Sequence, residues 1–544
     1  EDLVRDHYYP RDSLREQNPK LLLDDYVKFI RWAQWRLEQT GHGILAFITN
    51  HSYLDNPTFR RMRRALMEAF DELYILNLHG NVRRKEMAPD GSPDENVFDI
   101  QQGVAILLAV RLPESQHASE PDACKVYYAD LWGKREEKYA FLNANDVNTT
   151  PWRTLQPQPD FYLFLPQDEP LRQQYEQGWK LTDIFHLHST GIKTHRDHFV
   201  IDFDRDALHR RIAEFRDIQQ FTDDKIRQRY NLSDTCDWKL SAKRKELADD
   251  PHWEQRLQRC LYRPFDVRYL YYSPAVVERP REEVMRHLLA GENLALMFMR
   301  QVVLANDYSH VGVTNLIADT RCFYSASGTM EMAPLYLYHR ETLADGTTLM
   351  RKEPNLKAEY LRALAQQIGY EPSPEQVLAY LYAVLHSPTY RQRYASFLRQ
   401  DFPRVPLPVS AEQFDALASL GQALIDLHLL RTPQLSQSHV CYPVSGSNRV
   451  EKGYPRYDAP IPHQHDGRVW INPKQYFEGV PGAVWNFTFG GYQVCQKWLK
   501  DRRERILSNA EIETYRQIIV ALEETLRIMA QIDALFGEAQ QNIV

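Results

Sequence analysis
At 544 residues the chain is several times the roughly 100–200 residues of one average domain, so more than one core is expected. A 43% hydrophobic and 26% charged composition excludes a disordered chain, and no run approaches the roughly 18 uninterrupted apolar residues of a membrane helix. The net charge of −7 offers no bulk attraction for nucleic acid, so any contact with DNA must come from local basic patches.

In chain order, a polar start is followed by a helix over 21–40. Leu23, Val27, Ile30 and Ala33 or Gln34 recur near a period of 3.6, and the break Gly41-His42-Gly43 ends it. Two apolar runs with the character of buried strands lie at 43–54 and 97–111, and a third at 72–78. Near-continuous apolar strands separated by helices predict an α/β sheet covered on both faces. Pro57 opens a helix to Phe70 with Phe59, Met62, Leu66 and Phe70 on its inner face. Arg60, Arg61, Arg63 and Arg64 are then read as a solvated face, with a phosphate-facing patch as the alternative. The polar loop 83–95 follows a strand, the place where open α/β sheets put ligands.

After about residue 112 the texture changes to short strand-like runs rich in Tyr, Phe and Pro, at 160–166, 198–203, 266–272, 293–299 and 334–338, which predicts an α+β domain separate from the first sheet. Helices are expected at 356–368, 373–387 and 411–430, with an extended connector at 403–408. The last helix starts at a capping box, Ser508 to Glu511, and carries Ile512, Tyr515, Ile519, Leu522, Leu526 and Met529 at alternating three and four spacing. It packs within the chain or serves as one strand of a coiled coil.

The common catalytic signatures are missing: the phosphate-binding Gly-x-x-x-x-Gly-Lys-Ser/Thr loop, His-Glu-x-x-His and Gly-x-Ser-x-Gly. Cys124, Cys236, Cys260, Cys322, Cys441 and Cys495 form no Cys-x-x-Cys pair, against a zinc ribbon and a disulfide framework and in keeping with a cytoplasmic chain. Asp202, Asp204 and Asp206 lack the rest of a calcium loop, and His186, His188, His195 and His198 read as loop histidines, so no metal is expected. Gly191-Ile192-Lys193-Thr194-His195-Arg196 is a glycine-led turn able to offer backbone amides, Lys193 and Arg196 to a phosphate or a base edge; a structural loop is the alternative. Lys239, Lys243, Arg244 and Lys245 beside Trp238 form a second basic group, alternatively a solvated helix face.

Several segments, taken in order, resemble one known family. They are Asp25-Tyr26-Val27-Lys28-Phe29-Ile30-Arg31-Trp32, the strand from Gly43 to Asn50 and the segment containing Phe98. Further on come the stretch 262–268 with Arg263 and Arg268, then 291–296, 382–388 and 490–498. Together they resemble adenine-N6 DNA methyltransferases of restriction-modification systems, in particular the single-chain type ISP enzymes.

The resemblance implies that residues 1–112 are the C-terminal half of a methyltransferase domain with a partial Rossmann-like sheet. Residues 113–500 would be a target-recognition domain, and 501–544 a helix packed on it. It implies S-adenosylmethionine as cofactor, bound mainly outside this sequence, because neither a Gly-rich donor loop nor the Asn/Asp-Pro-Pro-Tyr/Phe tetrapeptide is present; Asn18-Pro19-Lys20-Leu21 is not that motif. The chain is expected to begin just after the tetrapeptide, as a fragment or as the partner of a separate chain.

The family's aromatic that stacks on the flipped adenine falls on Phe98, with Thr49, Asn50 and His51 lining the same edge; a core phenylalanine at a strand entry is the alternative. Lys193, Arg196, Lys239, Lys243, Arg244, Arg263 and Arg268 are the expected DNA contacts. The expected partners are double-stranded DNA and an upstream methylase, nuclease or translocase domain. A non-catalytic specificity subunit is the second reading, and a carbohydrate-binding protein, on Tyr and Trp abundance alone, a third.

Overall fold
A computed structural model of the chain describes residues 1–9, 19–82, 86–113, 124–159, 161–302, 308–325, 328–342, 348–462 and 466–541. The chain divides into two compact units, Glu1–Gln173 and Gln174–Val544.

The first unit is built on a five-stranded sheet. Its helices are α1 (Asp2–Tyr8), α2 (Asp25–Thr40), α3 (Arg60–Ala69) and α4 (Arg135–Ala144); its strands are β1 (Gly43–Asn50), β2 (Glu72–His79), β3 (Val104–Arg111), β4 (Lys125–Asp130) and β5 (Arg153–Leu155). Gly41 takes the left-handed conformation, φ 77°, that closes α2 and lets β1 start two residues later. The expected start of that helix, 21–24, belongs instead to a 3-10 turn, Pro19–Leu23, and the following residue.

The strand order is β1-β3-β2-β4-β5. β3 runs antiparallel between β1 and β2, from Gly43 opposite Arg111 to Asn50 opposite Val104, while β2 and β4 pair in parallel. The sheet is therefore mixed, because β3 returns from a loop and not from a crossover helix. β4 and β5 lie beyond residue 112 yet extend this same sheet, which the change of texture there does not anticipate.

One face carries the main core, where Leu45, Leu73, Ile75, Ala105, Leu107 and Val126 pack against Val27, Ile30, Met62 and Leu66. The other face is covered over β2 and β4 by a smaller cluster around Leu76, Leu78, Val97 and Ala129, with Phe141 and Leu142 from α4. At edge strand β1 its side chains stay open: Ile44 is 69% and Ile48 43% exposed.

In the second unit the texture-based reading of short strands among helices holds. One four-stranded sheet contains Leu257–Arg263 and Asp266–Tyr271, and another Ala295–Met299 and Met330–Pro334. The three helices expected at 356–368, 373–387 and 411–430 are present as Ala358–Ile368, Pro374–His386 and Ala411–His428. In the first unit 161–166 is loop and not strand, since Arg63 takes the Phe161 carbonyl and Phe164 N–H turns to the Leu54 carbonyl; Asp160 lies outside the described residues. At 198–203 only Ile201–Asp202 is strand, after a helical turn. The long helix Asn509–Gln541 begins at the expected capping box, Ser508 N–H to Glu511 Oε2 at 3.0 Å and Glu511 N–H to Ser508 Oγ at 3.2 Å. Its buried stripe of Tyr515, Ile518, Ile519, Leu522, Thr525, Ile528 and Met529 packs within the chain, against Ala411–His428 and Pro374–His386.

Candidate functional site
The polar residues of the first unit converge where β1, β2 and β4 end. His51 follows β1 and is buried. Its Nδ1 faces Asn77 Oδ1 at 3.1 Å, its Nε2 faces Asn81 Nδ2 at 3.2 Å, and its N–H donates to the Gly103 carbonyl at 3.0 Å. Gly103 has to be glycine, because a Cβ there would lie 2.3 Å from the imidazole.

His79, at the end of β2, adopts φ 52° and stacks on Trp132 at 3.3 Å. Its Nδ1 meets Glu86 Oε1 at 3.0 Å and its Nε2 meets Asp130 Oδ1 at 2.7 Å, and Tyr128 OH donates to the same Asp130 oxygen. Burial alone would depress this imidazole, but hydrogen bonds to Asp130 and Glu86 outweigh it and hold its pKa above the usual value. Burial pushes the Glu86 carboxyl up, and the hydrogen bond and charge of His79 turn the balance downward.

Phe98 stands on the loop that returns to β3. Its ring is 42% exposed, so it is not the core phenylalanine of the alternative reading. The backbone beneath it is fixed on every side: Phe98 N–H donates to Asn96 Oδ1 at 2.8 Å, and Arg135 of α4 donates to the Asn96 and Phe98 carbonyls at 2.7 and 3.1 Å. Tyr139, one turn on, donates to the Val97 carbonyl at 2.6 Å. Asn96 Nδ2 in turn donates to the Gly80 and Gln102 carbonyls, which ties the loop to the end of β2. Thr49 and Asn50 lie half-buried on the final residues of β1. Asn50 acts as a cap, its Oδ1 accepting from Ser52 N–H and Oγ at 2.9 and 2.7 Å.

His51 and the Phe98 loop are thus joined in one network. Its other members, Asn77, His79, Glu86, Tyr128, Asp130 and Trp132, are not singled out by the sequence; the one signal there is the polar triplet His79-Gly80-Asn81 ending an apolar strand. Of the polar loop that follows, 83–85 lie outside the described residues, as does Asn18.

In the second unit the basic residues divide by burial. The amides of Gly191, Ile192 and Lys193 donate to the carbonyls of Met330, Ala318 and Arg279, so none is left to cradle an anion. Gly191 is needed for close packing, since a Cβ there would lie 2.7 Å from the Thr320 backbone. Arg196 is buried with its guanidinium 3.9 Å from the centre of the Trp238 ring. Arg244 is 1% exposed and donates to the Phe215, Asp217 and Phe221 carbonyls and to Asp223. Arg263 pairs with Asp319 at 2.8 Å over the Tyr262 ring, and Arg268 with Asp266 at 2.7 Å over Phe203. These four guanidiniums, expected as DNA contacts, make internal bonds to carbonyls and carboxylates. Lys239 is exposed and Lys193 half-buried; Lys243 is half-buried and pairs with Glu246 at 2.7 Å.

The model of the Type ISP C-terminal specificity domain matches residues 183–531. Among solved structures the chain is similar to the ATP-dependent Type ISP restriction-modification enzyme LlaBIII bound to DNA (TM-score 0.71, 20% identity, 98% of this chain and 36% of that one). It is also similar to DrdV in a cryo-EM complex with DNA (TM-score 0.67, 22% identity, 97% and 54%). A third match is a nuclease-deletion mutant of the Type ISP restriction-modification enzyme LlaGI with a DNA substrate mimic (TM-score 0.67, 20% identity, 97% and 42%). The chain thus spans 36–54% of the length of these chains, and no curated protein matches it. With well over half of its residues inside the family model, the chain belongs to the family of the Type ISP C-terminal specificity domain.

Proposed function
We propose that this chain is the DNA-specificity part of a restriction-modification enzyme that methylates adenine at N6. The family membership of residues 183–531 carries the assignment of DNA recognition to the second unit. Solved structures of the same fold were obtained in complexes with DNA, which supports double-stranded DNA as the ligand. The cations that face solvent, Lys239 first among them, position the phosphates, and polar side chains read base edges in the major groove.

The first unit holds the target base. A base rotated out of the duplex loses its stacking, and an aromatic face restores about 1–3 kcal/mol of it. The half-exposed Phe98 ring on a loop braced by Asn96, Arg135 and Tyr139 suits that task. S-adenosylmethionine supplies the methyl group when bound. This sequence has no Gly-rich donor loop and no catalytic tetrapeptide, so no donor site is assigned within it. Strand β1 supports a larger, Rossmann-like sheet: it is an edge strand whose Ile44 and Ile48 are exposed in the way an interior strand's residues are after its neighbour is removed.

The absent donor loop equally favours a non-catalytic specificity subunit working with a separate methylase. Phe98→Ala in the full-length enzyme tests the base-holding role: methylation should fall by roughly 5- to 150-fold, the equivalent of about 1–3 kcal/mol, while duplex affinity stays nearly unchanged. An equal loss of both would sink that role. Duplex affinity that fails to weaken steeply with salt would sink the DNA reading itself.

A further inference from the structure
We propose that Lys193 and Arg279, with Arg321 beside them, form a site on the second unit for the backbone phosphates of double-stranded DNA. The site rests on the DNA reading above and names side chains that carry it.

Lys193 N–H donates to the Arg279 carbonyl at 3.1 Å and Arg279 N–H to the Lys193 carbonyl at 2.9 Å, an antiparallel bridge that sets the two residues directly opposite each other. Side chains so placed leave the same face, with Cβ atoms about 4.5–5.5 Å apart, and like charges there repel. On the other side Ile192 bridges Asp319 in parallel, and Thr320 N–H donates to the Ile192 carbonyl at 2.8 Å, which brings Arg321 into the same group of loops. Lys193 is half-buried, and Arg279 and Arg321 are exposed. Among the described residues none of these three side chains makes a hydrogen bond, an ion pair or a ring contact. That sets them apart from Arg196, Arg244, Arg263 and Arg268, whose guanidiniums are satisfied inside the fold.

The acids of these segments are engaged elsewhere. Glu278 faces His195 at 2.6 Å, Asp319 pairs with Arg263 at 2.8 Å, and Asp197 accepts from the Tyr262 hydroxyl at 2.9 Å. Glu282 and Glu283 line a separate groove with Tyr272 and Arg286. Two cations held opposite each other weaken the fold, and a phosphate bound to both turns that repulsion into charge-assisted hydrogen bonds. Tyr324, 47% exposed, adds an aromatic surface: its ring lies 6.1 Å from that of Tyr492, whose hydroxyl donates to the Arg321 carbonyl at 3.0 Å. Cations beside an exposed ring suit a backbone of phosphates and sugars.

The test uses the full 544-residue chain and a fluorescently labelled duplex of mixed sequence, titrated at several salt concentrations. Lys193→Gln with Arg279→Gln should weaken binding roughly tenfold at about 0.1 M salt and lower the slope of log affinity against log salt by about 1–2. Without DNA its melting temperature should stay level or rise, because a repulsion is removed. Arg279→Glu, which gives Lys193 an ionic partner across the bridge, should melt higher still and bind DNA more weakly than Arg279→Gln. Lys452→Gln with Lys500→Gln, the same loss of charge at two other exposed lysines, should leave the slope nearly unchanged. An unaltered slope in the Lys193 and Arg279 variant, an equal fall in the Lys452 and Lys500 control, or a lowered melting temperature would each overturn the site while the wild-type chain still binds. Wild-type binding that ignores salt would instead sink the DNA reading, and this site with it.

Discussion
Single residues decide much of what this chain can do, and several of the most polar ones face inward. Arg63 is fully buried, donating to the Tyr53, Asn56 and Phe161 carbonyls, where a basic helix reads as solvated. Its place was legible, since residue 63 lies four after Phe59 and three before Leu66 and so shares their face. In the second unit His428 is enclosed between Tyr382 OH at 2.6 Å and Thr525 Oγ1 at 2.9 Å. Burial, aided by the charge of Arg391, pulls its pKa down to about 3. A histidine depressed in the folded state contributes fully above the unfolded value near 6.5, and its contribution is lost as pH falls toward the folded value. The stability gap between wild type and His428→Gln should therefore shrink by about 1.4 kcal/mol for each pH unit below roughly 6.5. Urea midpoints of both proteins between neutral pH and about pH 5 measure this, and a gap that stays constant refutes it.

At the scale of elements, local periodicity carried the helices and most strands, because burial on one face imposes it directly. The capping box at Ser508 and the Gly41 stop were readable for the same reason: each is a local backbone requirement. The network at the sheet's end was not, since His79 and Asp130 are 51 residues apart and only the parallel pairing of β2 with β4 brings them together. Phe98 was proposed from the family resemblance, while its exposure and the α4 brace needed the structure.

Helix contacts also hide from sequence. Gly421 sits mid-helix in Ala411–His428, where a Cβ would lie 1.9 Å from the Ala379 carbonyl oxygen of Pro374–His386. Gly421→Ala gains about 1 kcal/mol of helix propensity but forces two backbones apart. Overpacking costs roughly 1–3 kcal/mol, and a backbone collision lies at or beyond the upper end, so a net loss of about 2 kcal/mol is expected in guanidinium unfolding. A neutral or stabilised variant would contradict this close packing.

Across the whole molecule, two units of different build share one chain: a mixed sheet over 1–173 and a recognition unit of small sheets tied by long helices over 174–544. The family match lies in the second, whereas the network around His79 and Phe98 lies in the first. Strand β1 then bears on how the isolated chain behaves in a tube. From Gly43 to Asn50 it has no lysine, arginine, aspartate, glutamate or proline, the residues that keep edge strands from sticking to one another. Light scattering of the 544-residue chain alone should show particle size growing with concentration, through β1 of one copy pairing with β1 of the next. Ile44→Lys with Ile48→Lys, both on the open face, should abolish that growth and leave the melting temperature unchanged. Growth that persists in the double variant would place the sticky surface elsewhere. An uncharged edge strand with two exposed isoleucines is thus expected to limit the solubility of the chain made alone.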